Sequence, residues 1–330
     1  MAVTGPTGEI GISLVSALER EESVDRVLGM ARRPFDPAVE GWTKTEYRRG
    51  DVLDRDAVDA LVADADVVVH LAFMIMGSRE HSREVNLNGS RNVFESAVQG
   101  RTRRLVYTSS VAAYGYHRDN PSPLTEEVPA RGSAQHYYSE QKAELEALLG
   151  RITAGSSLEV YVLRPCIVAG PRATLLADFM PWNRMGPAVT GLLGSTGHLF
   201  PLLRPLFPDP GIKLQLVHHD DVATAIAAAA VGRGEPGAYN VAGDGEITLS
   251  DVAEAVGGRG IRVPHAAAIA ASDAVAHVPG GHWLAEWIHV ARASVVMDTG
   301  KAKRDLGWRP AHTSAETLAA MAAAVRQHRR

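Results

Sequence analysis

The stretch Thr4-Gly-Pro-Thr-Gly-Glu-Ile-Gly11 decides the fold, because it repeats glycine at every third position directly after a short apolar segment. In a strand–loop–helix unit, Gly5 permits a tight turn, Gly8 lets backbone N–H groups approach a pyrophosphate, and Gly11 allows close packing of helix on strand. The N-terminus of the helix adds unpaired N–H donors and a partial positive charge. An ordinary glycine turn is the alternative, but the strand-then-helix context favours a dinucleotide-binding loop.

Outward from this loop, short apolar runs alternate with helical patterns. The predicted strands are Ala2–Thr4, Arg26–Ala31, Lys44–Tyr47, Asp66–Ala72, Arg104–Ser109 and Val160–Arg164, and the predicted helices are Ile10–Leu18, Arg55–Val62, Arg83–Val98 and Ser139–Leu149. The run Asp66–Ala72 is apolar on both faces, as a strand inside a parallel sheet should be. The alternation predicts the α/β class, a doubly wound parallel sheet of the Rossmann type.

The second half predicts a smaller, mixed C-terminal domain. Lys213–Val217 and Ala238–Val241 are typical of strands, with a helix at Asp221–Ala230 between them and a final helix at Ala315–His328. We expect residues 1–170 with about 212–242 to form the dinucleotide-binding domain, and about 171–211 with 243–330 to form the substrate-binding domain. Leu, Phe and Met abound in 171–210, which fits the core of a small domain or an apolar substrate pocket.

Composition excludes several classes of protein. The 330 residues are 45% hydrophobic and 22% charged, which excludes a disordered chain. The net charge of −4 offers no basic field for nucleic acid or an anionic membrane. No apolar run reaches the roughly 18–20 residues of a membrane helix, and the N-terminus does not resemble a signal peptide. Cys166 is the only cysteine and cannot form an intramolecular disulfide, so we expect a cytoplasmic protein.

The end of the second strand bears on the choice of cofactor. An acid that binds the ribose 2′-hydroxyl of NAD is expected about 20 residues after the glycine loop. Arg32 and Arg33 stand there instead, and a guanidinium fork suits a 2′-phosphate. This favours NADP over NAD, the alternative being that both arginines stack on adenine or face water. Asp51 either accepts from the adenine amino group or belongs to a turn.

Tyr138 and Lys142 lie four residues apart and would share one face of a helix. A nearby ammonium and an oxidised nicotinamide would lower the tyrosine pKa from near 10, which makes the phenol an acid or base near neutral pH. The neighbouring Tyr137 has Gln141, not lysine, four residues on. The pair follows a strand ending in Thr108-Ser-Ser110, whose hydroxyls would lie at the carboxyl edge where open α/β sheets bind ligands.

With these motifs, the chain resembles the extended short-chain dehydrogenase/reductases, the family of NAD-dependent epimerases and dehydratases. The matching segments follow the family's order over nearly the whole chain. They are Thr4–Gly11, Gly50-Asp51, His70-Leu-Ala72, Val85-Asn86 with Gly89, Thr108-Ser-Ser110 with Tyr114-Gly115, Tyr138-x-x-x-Lys142, Leu163-Arg-Pro165 with Gly170-Pro171, Val217–Val222, Tyr239-Asn240, and Leu306-Gly-Trp308 with Pro310.

The resemblance implies roles for single residues. Ser110 matches the catalytic hydroxyl, Tyr138 the acid/base, and Lys142 the lysine that binds the nicotinamide ribose. Asn86 matches a helix asparagine near the active site, or else satisfies backbone groups. The candidate substrate contacts are Ser110, Val111 and Arg172. The candidate cofactor contacts are Gly5, Thr7, Gly8, Glu9, Ile10, Gly11, Arg32, Arg33, Asp51, Val52, Leu71, Ala72, Tyr138, Lys142, Pro165 and Ile167.

Departures from the family pattern narrow the chemistry. The 4,6-dehydratases of this family carry a sequence like Thr-Asp-Glu where this chain has Thr108-Ser-Ser110. Without that carboxylate pair to eliminate water, a dehydratase is not expected. Nucleotide-sugar enzymes usually carry an asparagine where this chain has Ile167, and often an arginine, which holds a diphosphate, where it has Leu214. These substitutions remove contacts to a nucleotide diphosphate, unless other cations replace them, for which the candidates are Lys213, Arg172 and Arg184.

We therefore expect an NADP- or NAD-dependent oxidoreductase that moves a hydride between nicotinamide and a carbonyl or secondary alcohol. The alternatives are a nucleotide-sugar epimerase that retains NAD and a non-catalytic NADP-binding sensor. The expected partner is a small-molecule substrate. Relatives often dimerise through a four-helix bundle, which implies a homodimer through Arg83–Val98 and Ser139–Leu149.

Two further features are assigned structural roles. The run His218-His-Asp-Asp221 resembles a metal cluster, but side chains alternate faces along a strand. We therefore expect Asp220 or Asp221 to cap a helix, and no metal. Cys166 is expected to be a small buried residue and not a nucleophile.

Overall fold

The computed structural model is built on a parallel sheet, and it describes residues 1–75, 79–173, 204–264, 266 and 294–328. The strands of this sheet run in the order β10-β6-β5-β4-β1-β2-β3, and each pairing is parallel. The predicted doubly wound, Rossmann-type sheet is thereby confirmed. Its strands are β1 (Ala2–Thr4), β2 (Val27–Ala31), β3 (Thr45–Arg49), β4 (Val67–His70), β5 (Arg104–Thr108), β6 (Glu159–Pro165) and β10 (Gly237–Val241).

Helices cover both faces of the sheet. Two apolar cores result, and alternate residues of β1 enter them, Val3 one core and Ala2 the other. The helices on the Val3 side are α1 (Glu9–Arg20) and α5 (His219–Ala230), and those on the Ala2 side are α2 (Arg55–Val62), α3 (Arg79–Gln99) and α4 (Tyr137–Thr153). Burial of both faces explains why β4 is apolar throughout. Within the described ranges, no helix has both the length and the apolar content of a membrane span.

A smaller C-terminal region carries two short parallel sheets. In it, β7 (Ile167–Ala169) pairs with β9 (Leu216–His218), and β8 (Leu206–Asp209) pairs with β11 (Arg259–Arg262). A third apolar core forms here from residues that include Leu214, Ile247 and Met321. The remaining named α-helices are α6 (Leu249–Ala255), α7 (Gly300–Asp305) and α8 (Ser314–His328).

Residues 294–314 bond back into the dinucleotide-binding half. The buried carboxylate of Asp221 accepts the N–H groups of Ala311 at 2.8 Å and His312 at 3.0 Å. The buried amide of Asn240 donates to the carbonyls of Leu124 at 3.0 Å and Asp298 at 3.1 Å. The division into two domains near residues 170, 212 and 242 therefore stays a prediction, because hydrogen bonds cross it.

Several boundaries differ from the predictions for physical reasons. Helix α5 begins at His219 with His218 as its N-cap, so the predicted cap at Asp220 or Asp221 is wrong. Asp221 is bonded to the 311–312 segment, and the Asp220 N–H donates to His218 Nδ1 at 3.3 Å. Helix α4 begins two residues before the predicted Ser139, because the side chain of His136 accepts the Ser139 N–H at 3.2 Å.

One buried ion pair ties α4 to the sheet. Arg164 of β6 and Glu146 of α4 approach to 2.6 Å, with 7% and 11% of their side chains exposed. Ser109 donates to the same carboxylate at 2.6 Å, and the Arg164 guanidinium lies over the Tyr114 ring. Because two charges are buried together, removal of either leaves the other uncompensated.

We expect Glu146→Gln to lower the free energy of unfolding by about 3–5 kcal/mol, because Arg164 then keeps a buried charge without its partner. Urea denaturation followed by circular dichroism measures this. The matched control is Glu46→Gln in the exposed Arg26–Glu46 pair, which should change stability little because water screens that pair. Equal losses in the two variants would contradict the argument.

Candidate active site

The candidate site forms where three neighbouring strands end. Strands β5, β4 and β1 are adjacent and parallel, so the segments that follow them meet at one edge of the sheet. These segments are the glycine loop, residues 71–75 and Ser109–Ser110. The Leu71 N–H donates to Thr4 O at 3.2 Å and the Ala72 N–H to Thr4 Oγ1 at 3.3 Å, which holds the second segment against the first.

The glycine loop has the geometry that its spacing predicts. Gly5 has a φ of 75°, and a Cβ there would lie 3.0 Å from Ala72 N. A Cβ on Gly11 would lie 2.2 Å from Gly5 O, so that position packs helix on loop. A Cβ on the exposed Gly8 would meet only Gly5 O, at 3.5 Å. The space beside Gly8, at the start of α1, is therefore open, which is what a pyrophosphate-binding loop requires.

Ser110 and Tyr138 form the candidate acid/base pair. Ser110 is the N-cap of a short 3₁₀ helix, Val111–Tyr114, and accepts the Ala112 N–H at 3.1 Å. Burial raises the pKa of Tyr138, and a hydrogen bond to Ser110 partly opposes that rise. The predicted lowering of this pKa by an ammonium together with an oxidised nicotinamide stays a prediction, and in the chain by itself burial has the largest effect.

Lys142 lies one helical turn beyond Tyr138 and is buried. Its ammonium donates to Thr108 O at 2.9 Å and to the Tyr107 hydroxyl at 3.5 Å. Burial lowers the pKa of Lys142 to about 7, although the charge of Glu146 opposes this shift. The structure thus brings Ser110, Tyr138 and Lys142 together at the sheet edge.

Asn86 and Gln141 support this arrangement from α3 and α4. Asn86 accepts the Met74 N–H at 2.7 Å, donates to Met74 O at 3.0 Å, and donates to Gln141 Oε1 at 2.8 Å. The prediction that Asn86 satisfies backbone groups therefore agrees with its bonds, and those groups belong to the segment after β4. Gln141 was missed as a functional residue, since its only sequence signal is that it precedes Lys142.

Arginines gather at the ends of β2 and β3. Arg32 and Arg33 are exposed, and the Tyr47 hydroxyl donates to the carbonyls of Ala31, at 2.8 Å, and Arg33. Arg49 donates through Nε to Arg32 O at 3.0 Å, so a third guanidinium joins the cluster. Sequence reasoning missed it, although strand register places Arg49 opposite Ala31. Among the described residues, these three arginines have no ion-pair partner.

The other candidate cofactor contacts differ in exposure. Asp51 accepts the Leu53 N–H at 3.1 Å, which agrees with the turn alternative. Val52 is buried against Gly89 of α3 and Pro165 is buried at the end of β6. Ile167 is half-buried and packs against the third core. The remaining ones, Thr7, Glu9, Ile10, Leu71 and Ala72, lie in the glycine loop or the segment after β4 with at least part of their surface exposed.

Of the candidate substrate contacts, Val111 is buried in the first core, and Arg172 is exposed. The Arg172 guanidinium pairs with Glu40 at 3.4 Å, and its backbone N–H donates to His219 Nε2 at 3.3 Å. In the described part of the chain, no contact joins Arg172 to Ser110, so the structure does not bring these two together.

The histidine cluster has the spacing of a possible metal site. Ligand atoms of His218, His219 and Asp220 lie within 4.8 Å of one another, because the chain turns from β9 into α5 there and face alternation does not hold. The argument from alternating faces is therefore wrong for this run, whereas the absence of a metal stays a prediction. His219 Nε2 accepts the Arg172 N–H at 3.3 Å, and His219 Nδ1 lies 2.9 Å from Ser13 Oγ. Nδ1 in turn bonds Asp220 at 3.0 Å.

Residues 1–242 match the sequence model of the NAD dependent epimerase/dehydratase family. The chain belongs to this family. The match confirms the predicted class, the extended short-chain dehydrogenase/reductases, which are enzymes of NAD-dependent oxidoreductase chemistry. The epimerase alternative also belongs to this class.

The proteins that are similar to this chain include a dehydrogenase, an uncharacterized protein and an epimerase. It is 32% identical over 197 residues to the 3 beta-hydroxysteroid dehydrogenase type 7 of Homo sapiens, covering 54% of this chain and 52% of that protein. It is 25% identical over 328 residues to the uncharacterized protein y4nG of Sinorhizobium fredii, covering 96% and 76%. The UDP-glucuronic acid 4-epimerase from Bacillus cereus, solved with NAD, shares the fold at TM-score 0.72, with 17% identity and coverage of 100% and 99%.

We expect Gly8→Ala and Gly11→Ala to separate binding from folding. The Gly8 variant should keep its melting temperature and bind dinucleotide at least tenfold more weakly, because its methyl group fills the space beside α1. The Gly11 variant should also unfold more easily, by about 1–3 kcal/mol, since its methyl group overlaps the loop backbone. Thermal unfolding and quenching of tryptophan fluorescence by NADPH measure the two effects. Unchanged binding by the Gly8 variant would contradict the assignment.

Proposed function

We propose that this protein is a dehydrogenase/reductase that moves a hydride between a dissociable nicotinamide cofactor and a ketone or secondary alcohol. The observation that carries the proposal is that Ser110 and Tyr138 lie near each other at the sheet edge next to the glycine loop, with Lys142 buried beside them. The bound nicotinamide supplies or accepts the hydride. In reduction, Tyr138 gives its phenolic proton to the substrate oxygen that Ser110 orients, and Lys142 stabilises the tyrosinate that remains.

An apolar substrate is favoured over a nucleotide sugar. Leu214, at the place of a diphosphate-binding arginine, is buried and pairs with Ile247 in the third core. Lys213 is paired with Glu246 at 2.7 Å, and Arg172 is paired with Glu40. Arg184, the third possible replacement, lies outside the described residues. The cations that would hold a diphosphate are thus engaged elsewhere wherever the structure describes them.

The surroundings of Tyr138 agree with this substrate class. Residues 73–75, Phe-Met-Ile, follow β4, and the Phe73 ring stands edge-on to the Tyr138 ring with centroids 5.4 Å apart. The adjacent Tyr137 donates to the carbonyl of Ile75, whose side chain is 41% exposed. The resemblance of one half of the chain to a hydroxysteroid dehydrogenase supports a hydrophobic alcohol or ketone as substrate.

Chromatography of the nucleotide released on denaturation tests the proposal. Little released nucleotide, followed by tighter binding of NADPH than of NADH, supports a dissociable cofactor, and hydrophobic ketones are then screened for NADPH oxidation. Stoichiometric NAD would instead support the epimerase, which re-reduces its own intermediate. Binding without turnover of any carbonyl or sugar substrate would support the sensor.

We expect Tyr138→Phe to lower kcat by about 10²–10⁴-fold, because the proton donor is lost, while the Kd for NADPH stays within about twofold. Stopped-flow absorbance and fluorescence titration measure the two quantities. Tyr137→Phe is the matched control on the same helical turn and should retain activity within about tenfold. Full turnover by the Tyr138 variant would remove this residue from the acid/base role.

For cofactor choice, we propose that Arg32, Arg33 and Arg49 bind a 2′-phosphate. The triple change to Gln should weaken NADPH binding by about tenfold or more and leave NADH binding nearly unchanged, since only NADPH carries that phosphate. Arg48→Gln is the control, because Arg48 donates to Ala60 O at 3.2 Å and alternates to the other face of β3. Equal weakening of both cofactors would show that the arginines bind adenine alone.

Homodimerisation and a cytoplasmic location remain predictions. The dimer would use α3 and α4, which pack together and share the Arg83–Glu144 ion pair at 2.8 Å. Light scattering at working concentration measures the mass, and a monomer would end the dimer hypothesis.

A further inference from the structure

Phe73 contacts both the candidate acid/base and its lysine. The Lys142 ammonium lies 3.9 Å from the centroid of the Phe73 ring, and the Tyr138 ring meets Phe73 edge-on. The side chain is half-buried at the sheet edge. The next residue, Met74, is held at both its N–H and its C=O by Asn86, so the backbone that carries this ring is anchored to α3.

The Lys142 ammonium has few polar partners for a buried cation. It donates to one carbonyl and one phenol, and among the described residues no carboxylate forms an ion pair with it. Three aromatic rings lie around it, with Nζ-to-centroid distances of 3.9 Å for Phe73, 5.2 Å for Tyr107 and 5.9 Å for Tyr138. A cation over the face of a ring is attracted by the negative potential of that face, most strongly when water is excluded.

We propose that Phe73 is a positioning residue for Lys142, whose ammonium its ring face holds beside Tyr138 in the charged form. The proposal rests on the proposed function only in giving Lys142 and Tyr138 their roles in hydride transfer. Phe73 would then stabilise the charge of Lys142 as a buried carboxylate does in other proteins, because no carboxylate of the described residues touches this lysine.

The charged and titratable groups that face Lys142 come from four elements. On α4, Glu146 favours the ammonium, but its carboxylate is already shared by Arg164 of β6 and Ser109. On β4, His70 is neutral, because burial and the nearby ammonium lower its pKa to about 3. Tyr107 of β5 has a pKa raised by burial, as has Tyr138, so both phenols stay protonated. The Phe73 ring thus contacts the Lys142 ammonium, whereas no carboxylate of the described residues does.

The charge of Lys142 can be followed directly, because the chain contains only five lysines, at positions 44, 142, 213, 301 and 303. NMR titration of the protein with ¹³C-labelled lysine, with the Lys142 signal assigned from Lys142→Met, gives its pKa. We expect Phe73→Leu to lower that pKa by about half a unit to one unit, because the aliphatic side chain fills similar space without an aromatic face. In Phe73→Tyr, which keeps an aromatic face, the pKa of Lys142 should stay at the wild-type value.

The control for packing is Phe94→Leu. Phe94 touches His70 and Tyr107, with centroids 5.6 and 5.4 Å apart, and makes no cation contact with Lys142. A shift in Phe73→Leu alone supports the proposal, whereas equal shifts in both variants, or none in the Phe73 variant, overturn it. If Phe73→Leu does not fold, fluorinated phenylalanines at position 73 keep the shape and withdraw ring electron density. The Lys142 pKa should then fall with each added fluorine, and a constant value overturns the proposal.

The pH profile of kcat/KM gives a second readout. The alkaline limb that follows loss of the Lys142 proton should move to lower pH by the same amount as the NMR titration, while the plateau at lower pH stays unchanged. A purely structural role of Phe73 would lower the plateau and leave the limb in place, and that result overturns the proposal. Absence of hydride transfer in the wild type, with the NMR shift intact, would defeat the proposed function and leave the role of Phe73 in place.

Discussion

The adjacency of three parallel strands is the constraint on which the rest of the structure depends. Because β1, β4 and β5 are neighbours that point the same way, the glycine loop, the Phe73 segment and Ser110 must meet at one edge. Helices α3 and α4 then need only present Asn86, Tyr138 and Lys142 toward that edge. Hydrogen bonds between these segments, such as those from Leu71 and Ala72 to Thr4, fix their spacing to a few ångströms.

Burial is the second force that shapes the site. It raises the pKa of Tyr138 and lowers the pKa of Lys142, because each side chain loses the hydration of its charged form. Burial by itself therefore favours the uncharged form of both side chains. In the proposed reaction, proton transfer at the substrate oxygen would depend on groups that stabilise charge at short range, such as the aromatic rings around Lys142 and the Ser110 hydroxyl.

Short motifs in a fixed chain order were enough to predict the fold, and they predicted the edge of the sheet at which the structure brings Ser110, Tyr138 and Lys142 together. The glycine spacing, the strand–helix alternation and the Tyr138–Lys142 interval are all of this kind. What escaped prediction depends on contacts distant in sequence. The Arg172–Glu40 pair joins residues 132 positions apart. The upward shift of the Tyr138 pKa results from burial by segments from distant parts of the chain. The cap at His136 escaped because histidine is not among the usual capping residues.

The bonds between Asp221 and residues 311–312 bear on where this protein can be divided. The family match ends at residue 242, yet the carboxylate inside that match has its partners some 70 residues beyond its end. A fragment cut at 242 would lose the donors of this carboxylate and would also leave the Asn240 amide without the Asp298 carbonyl. The cofactor half therefore depends on residues beyond 242 for these hydrogen bonds. Insertions and fusions belong in exposed loops and not at the boundary that sequence similarity marks.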